Sequence, residues 1–261
     1  LPEVTPGPTT KVYGYQAYWD DDLMAVPWDD LSHIALFAAA SDASGILSDT
    51  DRWDEAAFAV QLAEPYGVRV HLCVTNFSTS SLESFLGDAA AQTLLIEDLV
   101  QWVGSTGAHG VNIDFEGMPS NRRAEMVTFT RNLQAAVGDV TLATPAIDWS
   151  DAWDYAALTD YADLFIMGYA FHWSGSSISG PTDPLYGGEG TPWSVYALDW
   201  SAQDYRDSGA DLDRVILGLA LYGIRFPVAD IRFYTFFCWE YPFLDAGWKT
   251  PENSNNGVVW E

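Results

Sequence analysis

The stretch "HGVNIDFEG", residues 109–117, decides how the rest of the chain is interpreted. Its odd-numbered positions from 111 to 115 are apolar, which is the period-two pattern of a buried β-strand. The opposite face carries Asn112, Asp114 and Glu116, although a strand covered on both faces would be apolar there too. The pattern therefore predicts a strand that directs one amide and two carboxylates to the same place.

Six further apolar runs predict strands on either side of this one. They lie at residues 11–19, 32–40, 68–77, 140–146, 162–170 and 214–223. Helical patterns separate several of them, and each of these patterns ends at or just before a glycine, which is common at helix C-termini. The predicted helices are 54–67, 89–107, 121–138 and 192–209.

Strand–helix alternation on this scale has two main solutions, a doubly wound sheet and a (β/α)8 barrel. No glycine-rich phosphate loop follows any strand, which weakens the first. Polar and aromatic residues follow the carboxyl ends of several strands, where barrel enzymes place their active sites. We therefore expect a (β/α)8 TIM barrel in one domain over 11–261, after a linker over 1–10. The eighth strand is weakly indicated by "YTFFCWEY" (234–241), so the barrel is expected to be incomplete or irregular there.

The composition excludes several classes of partner. Eleven Lys and Arg stand against 37 Asp and Glu, a formal net charge of −26, which repels nucleic acid and anionic membranes. No apolar run approaches the roughly 20 residues that cross a bilayer. The aromatic content is 15%, with 12 Trp, and it favours carbohydrate binding and a large aromatic core equally.

The metal-ligating residue types show no ligand spacing. The four histidines are scattered, and Cys73 and Cys238 form no disulfide framework. We expect buried thiols, with one long-range bridge as the alternative, and we predict no metal site.

The polar column on the quoted strand suits acid–base chemistry. Alternate side chains of a barrel strand point inwards, so Glu116 is expected at the rim with Asp114 below it. Two adjacent carboxylates repel, so one should keep a proton near neutral pH, as a general acid must. We expect Glu116 to be that acid while Asp114 stays ionised. The alternative is a polar strand end whose carboxylates cap neighbouring backbone amides.

At this point the sequence resembles a known family, the chitinase-like glycoside hydrolases of family 18. "HGVNIDFEG" is similar to the family signature DGxDxDxE, and its VNIDFE form is similar to the branch of spore-cortex and peptidoglycan N-acetylglucosaminidases. Three other stretches agree in order and spacing, from about residue 11 to 226. They are "KVYGYQAYW" (11–19), "LFIMGYAFHWSGSSISGPTDPL" (164–185) and "VILGLALYG" (215–223).

The resemblance implies a substrate-assisted retaining mechanism without metal or cofactor. Glu116 would protonate the glycosidic oxygen, and the substrate's own N-acetyl oxygen would attack C1. Asp114 would orient the acetamido N–H, and Tyr169 would donate its hydroxyl to the acetamido oxygen. Met167 would lie near the acetamido methyl group.

Three departures from the family pattern bear on activity. His109 and Asn112 replace two aspartates of the signature; we expect His109 to pack away from the interior and Asn112 to donate a hydrogen bond beneath Asp114. Ala170 stands where the family has Asp after the tyrosine, and it removes a positioned polar group. The family has a Trp in strand eight on which a sugar stacks. Trp239 is the candidate for this residue, and Trp260 is the alternative.

The predicted substrate-binding residues come from several strand ends. They are Asn112, Met167, Tyr15, Phe37, Asn76, Trp173, Tyr222 and Trp239. Phe77 and Trp149 are further cleft candidates. Core packing competes with sugar stacking for most of the aromatic side chains, but the polar setting of Trp173 in "HWSGSS" favours exposure.

Two functions follow as expectations. The first is a retaining hydrolase of β-1,4-linked N-acetylglucosamine polymers, either chitin or peptidoglycan glycan strands. The second is a weakly active or inactive chitin-binding lectin on the same barrel, which Ala170 favours. In either case we expect a polysaccharide partner, no nucleic acid or membrane partner, a monomer, and a secreted or cell-envelope location.

Overall fold

The computed structural model describes residues 10–20, 22–169, 171–172, 176, 180–187 and 196–224, and the backbone of 257–259. The chain divides into two compact units. The larger one comprises Leu1–Ile166 and Asp204–Ile216, and the smaller one Met167–Gln203 and Leu217–Glu261. The prediction of a single domain over 11–261 stays a prediction.

The larger unit is built on a parallel sheet of seven strands. In sheet order these are β1 (Tyr13–Ala17), β2 (His33–Ser41), β4 (Arg69–Asn76), β5 (Gly110–Phe115), β6 (Val140–Pro145), β7 (Asp163–Met167) and β8 (Val215–Leu217). The short β3 (Leu47–Ser48) pairs antiparallel with β2. This order follows the chain, as in a (β/α)8 barrel, so the seven predicted strands are confirmed, although the last is limited to Val215–Leu217. Tyr222–Ile224, at the end of the predicted run, pairs antiparallel with Gly257–Val259 instead. The candidate eighth strand, 234–241, lies outside the described residues.

Helices follow most of the strands. They are α1 (Ala56–Ala63), α2 (Thr79–Leu86), α3 (Ala89–Thr106), α4 (Arg123–Val137), α5 (Tyr155–Leu158) and α6 (Leu198–Asp207). Gly107 and Gly138, just beyond α3 and α4, have φ of 75° and 87°, a conformation that glycine adopts without strain. The predicted ends of these helices are therefore confirmed. None of the described helices has the length and apolarity needed to cross a membrane.

The sequence analysis did not predict α2, because its serine-rich start does not look helical. The hydroxyl of Ser78 accepts a hydrogen bond from the Ser81 amide and caps the first turn. Leu82, Phe85 and Leu86 then bury one face of the helix. Tertiary packing supplies the stability that propensity alone would not.

The two faces of the sheet contribute to two separate apolar clusters. Outward-facing residues such as Val70, Leu72 and Val74 join the main core with the helices. The inward face holds a small separate cluster in which Ala35 and Cys73 pack against aromatic side chains. Other inward-facing residues of these strands are polar.

The sheet curls so that its first and sixth strands, β1 and β7, approach each other. The ring of Phe165 in β7 lies 5.9 Å from that of Tyr13 and 5.2 Å from that of Tyr15, both in β1. Lys11 Nζ also donates to Asp163 Oδ2 at 2.5 Å. A flat sheet would keep these strands far apart, so the curvature is that of a barrel wall.

Candidate active site

Strand β5 places the polar column where the sequence predicted it. All six residues of β5 are buried, and the apolar ones, Val111, Ile113 and Phe115, belong to the main core. Asn112 and Asp114 therefore point to the inner face, because alternate side chains leave a strand on opposite sides. Glu116 follows the strand, and its amide donates to the carbonyl of Asn76 in β4.

Asn112 forms the floor of the column. Its side chain is fully buried; Nδ2 lies 3.5 Å from the carbonyl of Thr141, and Oδ1 accepts a hydrogen bond of 3.1 Å from the thiol of Cys73. A neutral amide below Asp114 avoids a third like charge in a buried site. The amide nitrogen of Asn112 thus faces a carbonyl of β6, and its amide oxygen accepts from the Cys73 thiol.

Asp114 is a buried carboxyl group with an open acceptor. Its side chain lies beside Thr75, its register partner in β4, and the residue is 6% exposed. Among the described residues its Oδ1 has no hydrogen-bond partner. A buried carboxylate oxygen without a donor is costly, so this atom is a position that a ligand N–H can fill.

Burial and charge together raise the pKa of both carboxyl groups. Burial, and secondarily the neighbouring charge of Glu116, raises the pKa of Asp114 to about 7. Partial burial of its carboxyl group also raises the pKa of Glu116, although the residue as a whole is exposed at the strand end. With a pKa of about 7, Asp114 is about half ionised at neutral pH in the free protein, because burial penalises its charged form. The expectation that Asp114 stays ionised while Glu116 acts as the acid stays a prediction.

Two predicted aromatic residues line the inner face of the larger unit. The ring of Tyr15 meets Phe165 edge-on, and Phe37 lies 6.4 Å from Tyr15 and 6.1 Å from Trp19. Phe37 also borders a cavity of about 510 Å³ at the carboxyl ends of β1 and β2. Tyr18 lines the same cavity, with the Arg52 guanidinium 3.9 Å above its ring.

Asn76 at the end of β4 is engaged by its own loop. Its Nδ2 donates to Ser81 Oγ at 3.0 Å, and its Oδ1 accepts from the Ser78 amide at 3.2 Å. These bonds hold the turn that starts α2. A role in substrate binding stays a prediction for this residue.

The smaller unit contains three further predicted residues. Met167, Tyr169 and Tyr222 are each partly buried there. The rings of Tyr169 and Tyr222 are 6.3 Å apart and meet edge-on, so these two predicted residues are brought together. The predictions for Ala170, Trp173, Trp239 and Trp260 fall on positions outside the described residues.

Sequence reasoning missed the part played by Cys73. It predicted only a buried thiol, and the structure shows a free, buried cysteine bonded to the amide of Asn112. Its register in the neighbouring strand, directly beside Asn112, is the signal that would have found it. Three exposed aromatic rings accompany the strand ends of the larger unit: Trp149 is 74% exposed, Trp19 69% and Phe77 58%.

Among the described residues, no third ligand-type residue joins the carboxyl groups of Asp114 and Glu116. Within the described part of the chain, one group of three ligand-type residues converges, and it consists of His33, His71 and Asp139. These residues lie at the amino ends of the strands, away from the carboxyl ends where Glu116 lies. The site at β5 therefore consists of two carboxyl groups, that of Asp114 buried and that of Glu116 exposed at the end of the strand.

The curled parallel sheet and the carboxyl pair after its fourth parallel strand are features of TIM-barrel glycoside hydrolases of the chitinase-like class. A family model described as glycosyl hydrolases family 18 matches residues 11–254. The chain belongs to that family, and the resemblance drawn from the sequence is confirmed.

Similar proteins agree with this assignment. A Bacillus subtilis protein named "Putative sporulation-specific glycosylase YdhD" is 32% identical over 133 residues, 46% of this chain and 31% of that protein. A probable endochitinase of Caenorhabditis elegans is 26% identical over 166 residues, 57% of this chain and 27% of that protein. The chain thus spans less than a third of either relative's length.

Among solved structures, the second catalytic domain of the Group II chitinase of Ostrinia furnacalis has a TM-score of 0.77. It is 17% identical, with 85% of this chain and 66% of that chain covered. A family 18 N-acetylglucosaminidase from Paenibacillus barengoltzii has a TM-score of 0.72 at 17% identity, with 85% of this chain and 72% of that chain covered. At these identities the structures show the shared fold.

Proposed function

We propose that the protein is a retaining glycoside hydrolase that cleaves β-1,4-linked N-acetylglucosamine polymers with the help of the substrate's own N-acetyl group. The observation that carries the proposal is the open acceptor of Asp114, which is buried and has a raised pKa. An acetamido N–H is a donor that would complete this site. A sugar without that group would leave the oxygen unsatisfied.

The proposed reaction begins when the substrate changes the charge of Asp114. Hydrogen bonding to the ionised form lowers a carboxyl pKa, so a bound acetamido N–H favours release of the Asp114 proton to solvent. Glu116, at the rim, then gives its proton to the glycosidic oxygen as the bond from C1 to that oxygen breaks. The acetamido carbonyl oxygen bonds to C1 in the same step and forms an oxazolinium ion.

The second half of the reaction returns a proton to Glu116, and Asp114 takes its proton back from solvent when the product leaves. The Asp114 anion offsets the positive charge on the oxazolinium nitrogen. Glu116, now ionised, takes a proton from a water that attacks C1, and the product keeps the β configuration. Tyr169 is proposed to donate its hydroxyl to the acetamido oxygen, with Met167 beside the methyl group.

The substrate class is proposed as chitin or peptidoglycan glycan strands, because both present N-acetylglucosamine. The solved complex of the Ostrinia furnacalis domain with (NAG)5 supports the first. The sporulation-specific name of the Bacillus subtilis relative supports the second. We further propose a secreted or cell-envelope location, where both polymers occur, and a monomeric state.

The decisive experiment is cleavage of chitin pentaose, followed by mass spectrometry and by proton NMR of the anomeric signal. We expect shorter oligomers whose new reducing ends first appear as the β anomer. Glu116→Gln should lose this activity by a factor on the order of 10³ or more, whereas Glu97→Gln, an exposed change on α3, should retain it. Initial release of the α anomer, or full activity of Glu116→Gln, would overturn the mechanism.

A matched substrate tests the role of the acetamido group. Pentameric glucosamine, which lacks the acetyl carbonyl, should remain intact under conditions that cleave chitin pentaose. Equal cleavage of the two would contradict assistance by the substrate.

A second candidate function is a chitin-binding lectin, because Ala170 replaces the aspartate that the family usually carries there. In that case titration calorimetry would detect binding of chitin pentaose without products. Ala170→Asp would then be expected to create or raise turnover. Absence of binding at millimolar concentration would exclude the lectin.

A further inference from the structure

Two histidines and one aspartate meet at the amino ends of the central strands. His33 begins β2, His71 lies in β4, and Asp139 precedes β6. One ligand-type atom from each lies within 4.8 Å of the other two. The three are separated in sequence by 38 and 68 residues, so no spacing motif reveals them, and the sequence analysis predicted no metal site.

Ser32 occupies one ring nitrogen of His33. Ser32 Oγ lies 3.0 Å from the Val12 carbonyl oxygen and accepts from the Val12 amide at 2.8 Å. His33 Nδ1 lies 2.8 Å from the same hydroxyl oxygen. In the tautomer in which Nδ1 donates this bond, the other nitrogen, Nε2, carries the lone pair that a metal ion needs.

His71 offers an unsatisfied nitrogen to the same cluster. The side chain is fully buried, and Nδ1 lies 3.0 Å from the hydroxyl of Tyr13 and 3.4 Å from that of Thr141. Nε2 lies 3.3 Å from Asp139 Oδ2 but has no partner with hydrogen-bond geometry in the described structure. A protonated Nδ1 bonded to Tyr13 leaves Nε2 as a ligand oriented by a neighbouring side chain, the usual arrangement of metal-bound histidine.

Asp139 is held against the other two residues. Arg69 Nε donates to its Oδ2 at 2.5 Å. Gly110 lies directly beneath it, since a Cβ at that position would be only 2.2 Å from the Asp139 carbonyl oxygen. The side chain is 23% exposed, so the cluster is within reach of ions in solution.

We propose that His33, His71 and Asp139 bind one divalent transition-metal ion, and that Zn²⁺ fits the set best. Two imidazole nitrogens and one carboxylate are a common zinc ligand set, with water as a fourth ligand. At zinc–ligand bonds of 2.0–2.1 Å, neighbouring ligands lie about 3.4 Å apart, and the His71–Asp139 separation of 3.3 Å already meets this. The ligand atom of His33 lies within 4.8 Å of both, so it would have to approach them when the ion binds.

The site is structural rather than catalytic. It lies at the end of the barrel wall opposite Glu116, where barrel residues serve stability. A bound ion would join β2, β4 and the segment before β6, which are far apart in sequence. Arg69 is the charge that opposes the ion, while the net charge of −26 favours cations in general.

The experiment is zinc titration of the full chain after treatment with a chelator, followed by calorimetry and thermal denaturation. We expect one Zn²⁺ per chain and a higher midpoint of thermal unfolding. His33→Gln and Asp139→Asn should each weaken this binding on the order of 100-fold. His109→Gln should not, because His109 lies outside the cluster, with Nδ1 accepting the Val70 amide.

Weak uptake with no defined stoichiometry, equal in all variants, would mean that the acidic surface alone binds zinc and would overturn the proposal. So would stoichiometric binding that survives His33→Gln. Should a variant fail to fold, Co²⁺ in place of Zn²⁺ tests the wild-type chain directly. Visible absorption bands of four-coordinate Co²⁺ with nitrogen ligands are expected, and their absence at one equivalent would reject the site.

Discussion

At the scale of single residues, depth along one strand separates two chemically similar groups. Asp114 and Glu116 share a face of β5, but the first is buried and the second is exposed at the strand end. Burial penalises the charged form, so the pKa of Asp114 rises to about 7. The pair therefore has one buried group that is about half protonated near pH 7 in the empty site and one at the rim that can exchange protons with a substrate.

Replacing Asp114 by Asn should stabilise the fold in a pH-dependent way. Below pH 3.8, the ordinary pKa, the carboxyl is protonated in both folded and unfolded chains, and the substitution gains little. Between pH 3.8 and about 7 the unfolded chain ionises while the folded-state carboxyl keeps its proton, so the free energy of unfolding of the wild type falls over this range and stays lowered above it. The difference of about 3 pH units sets an upper limit of about 4 kcal/mol to the gain at pH 8.

Urea denaturation of wild type and Asp114→Asn at pH 4 and pH 8 measures this gain. Asp160→Asn, at an exposed position, is the control and should change little at either pH. The same free-energy difference at both pH values for Asp114→Asn would refute the buried-charge explanation.

The same pair sets the alkaline limit of the proposed activity. The last proton of the pair is lost near pH 7, so kcat/KM for chitin pentaose should fall about tenfold per pH unit above that value. Asp114→Asn removes the like charge beside Glu116 and should lower the pKa of that carboxyl group. The alkaline limb of the residual activity should therefore move to lower pH. A limb that stays in place or moves upwards would show that the two carboxyl groups do not interact.

At the scale of elements, helices are placed by their ends and by the core they cover. The carboxylate of Asp88 accepts from the amides of Ala90 and Ala91 and begins α3, while Gly107 ends it. Leu95 and Leu99 anchor the helix in the main core. The sequence predicted this helix almost to the residue because cap, apolar face and glycine all agree.

Loss of the α3 cap should cost stability without affecting the active site. Asp88→Ala leaves two amides of the first turn without their acceptor, and we expect about 1 kcal/mol lower free energy of unfolding. Urea denaturation measures the change, with Glu97→Ala in the exposed middle of the same helix as the control. An equal effect of the two substitutions would assign the loss to helix propensity or surface charge rather than to capping.

At the scale of the whole molecule, the net charge of −26 opposes the compact state. Ion pairs such as Lys11–Asp163 and Arg214–Asp163 join segments that are distant in sequence, but only 11 basic residues are available against 37 acidic ones. Self-repulsion should therefore be a general cost of folding in dilute salt.

Thermal stability should consequently rise with salt. The Debye length falls from about 30 Å at 0.01 M to about 3 Å at 1 M, so screening removes most repulsion between surface carboxylates. We expect the unfolding midpoint to be higher by roughly 5 °C or more in 1 M NaCl, and to respond alike to KCl. A midpoint that falls with salt would show that ion pairs outweigh the repulsion.

The sequence by itself determined the strand order, the glycine-terminated helices and the polar column of β5, because these follow from local period, from turn chemistry and from alternation along one strand. It also indicated the family, since four stretches agreed in order. Only the tertiary structure decided which carboxyl group is desolvated, that Cys73 bonds to Asn112, and that His33, His71 and Asp139 converge. Those facts depend on strand register and sheet curvature, which bring together residues that no spacing within the sequence connects.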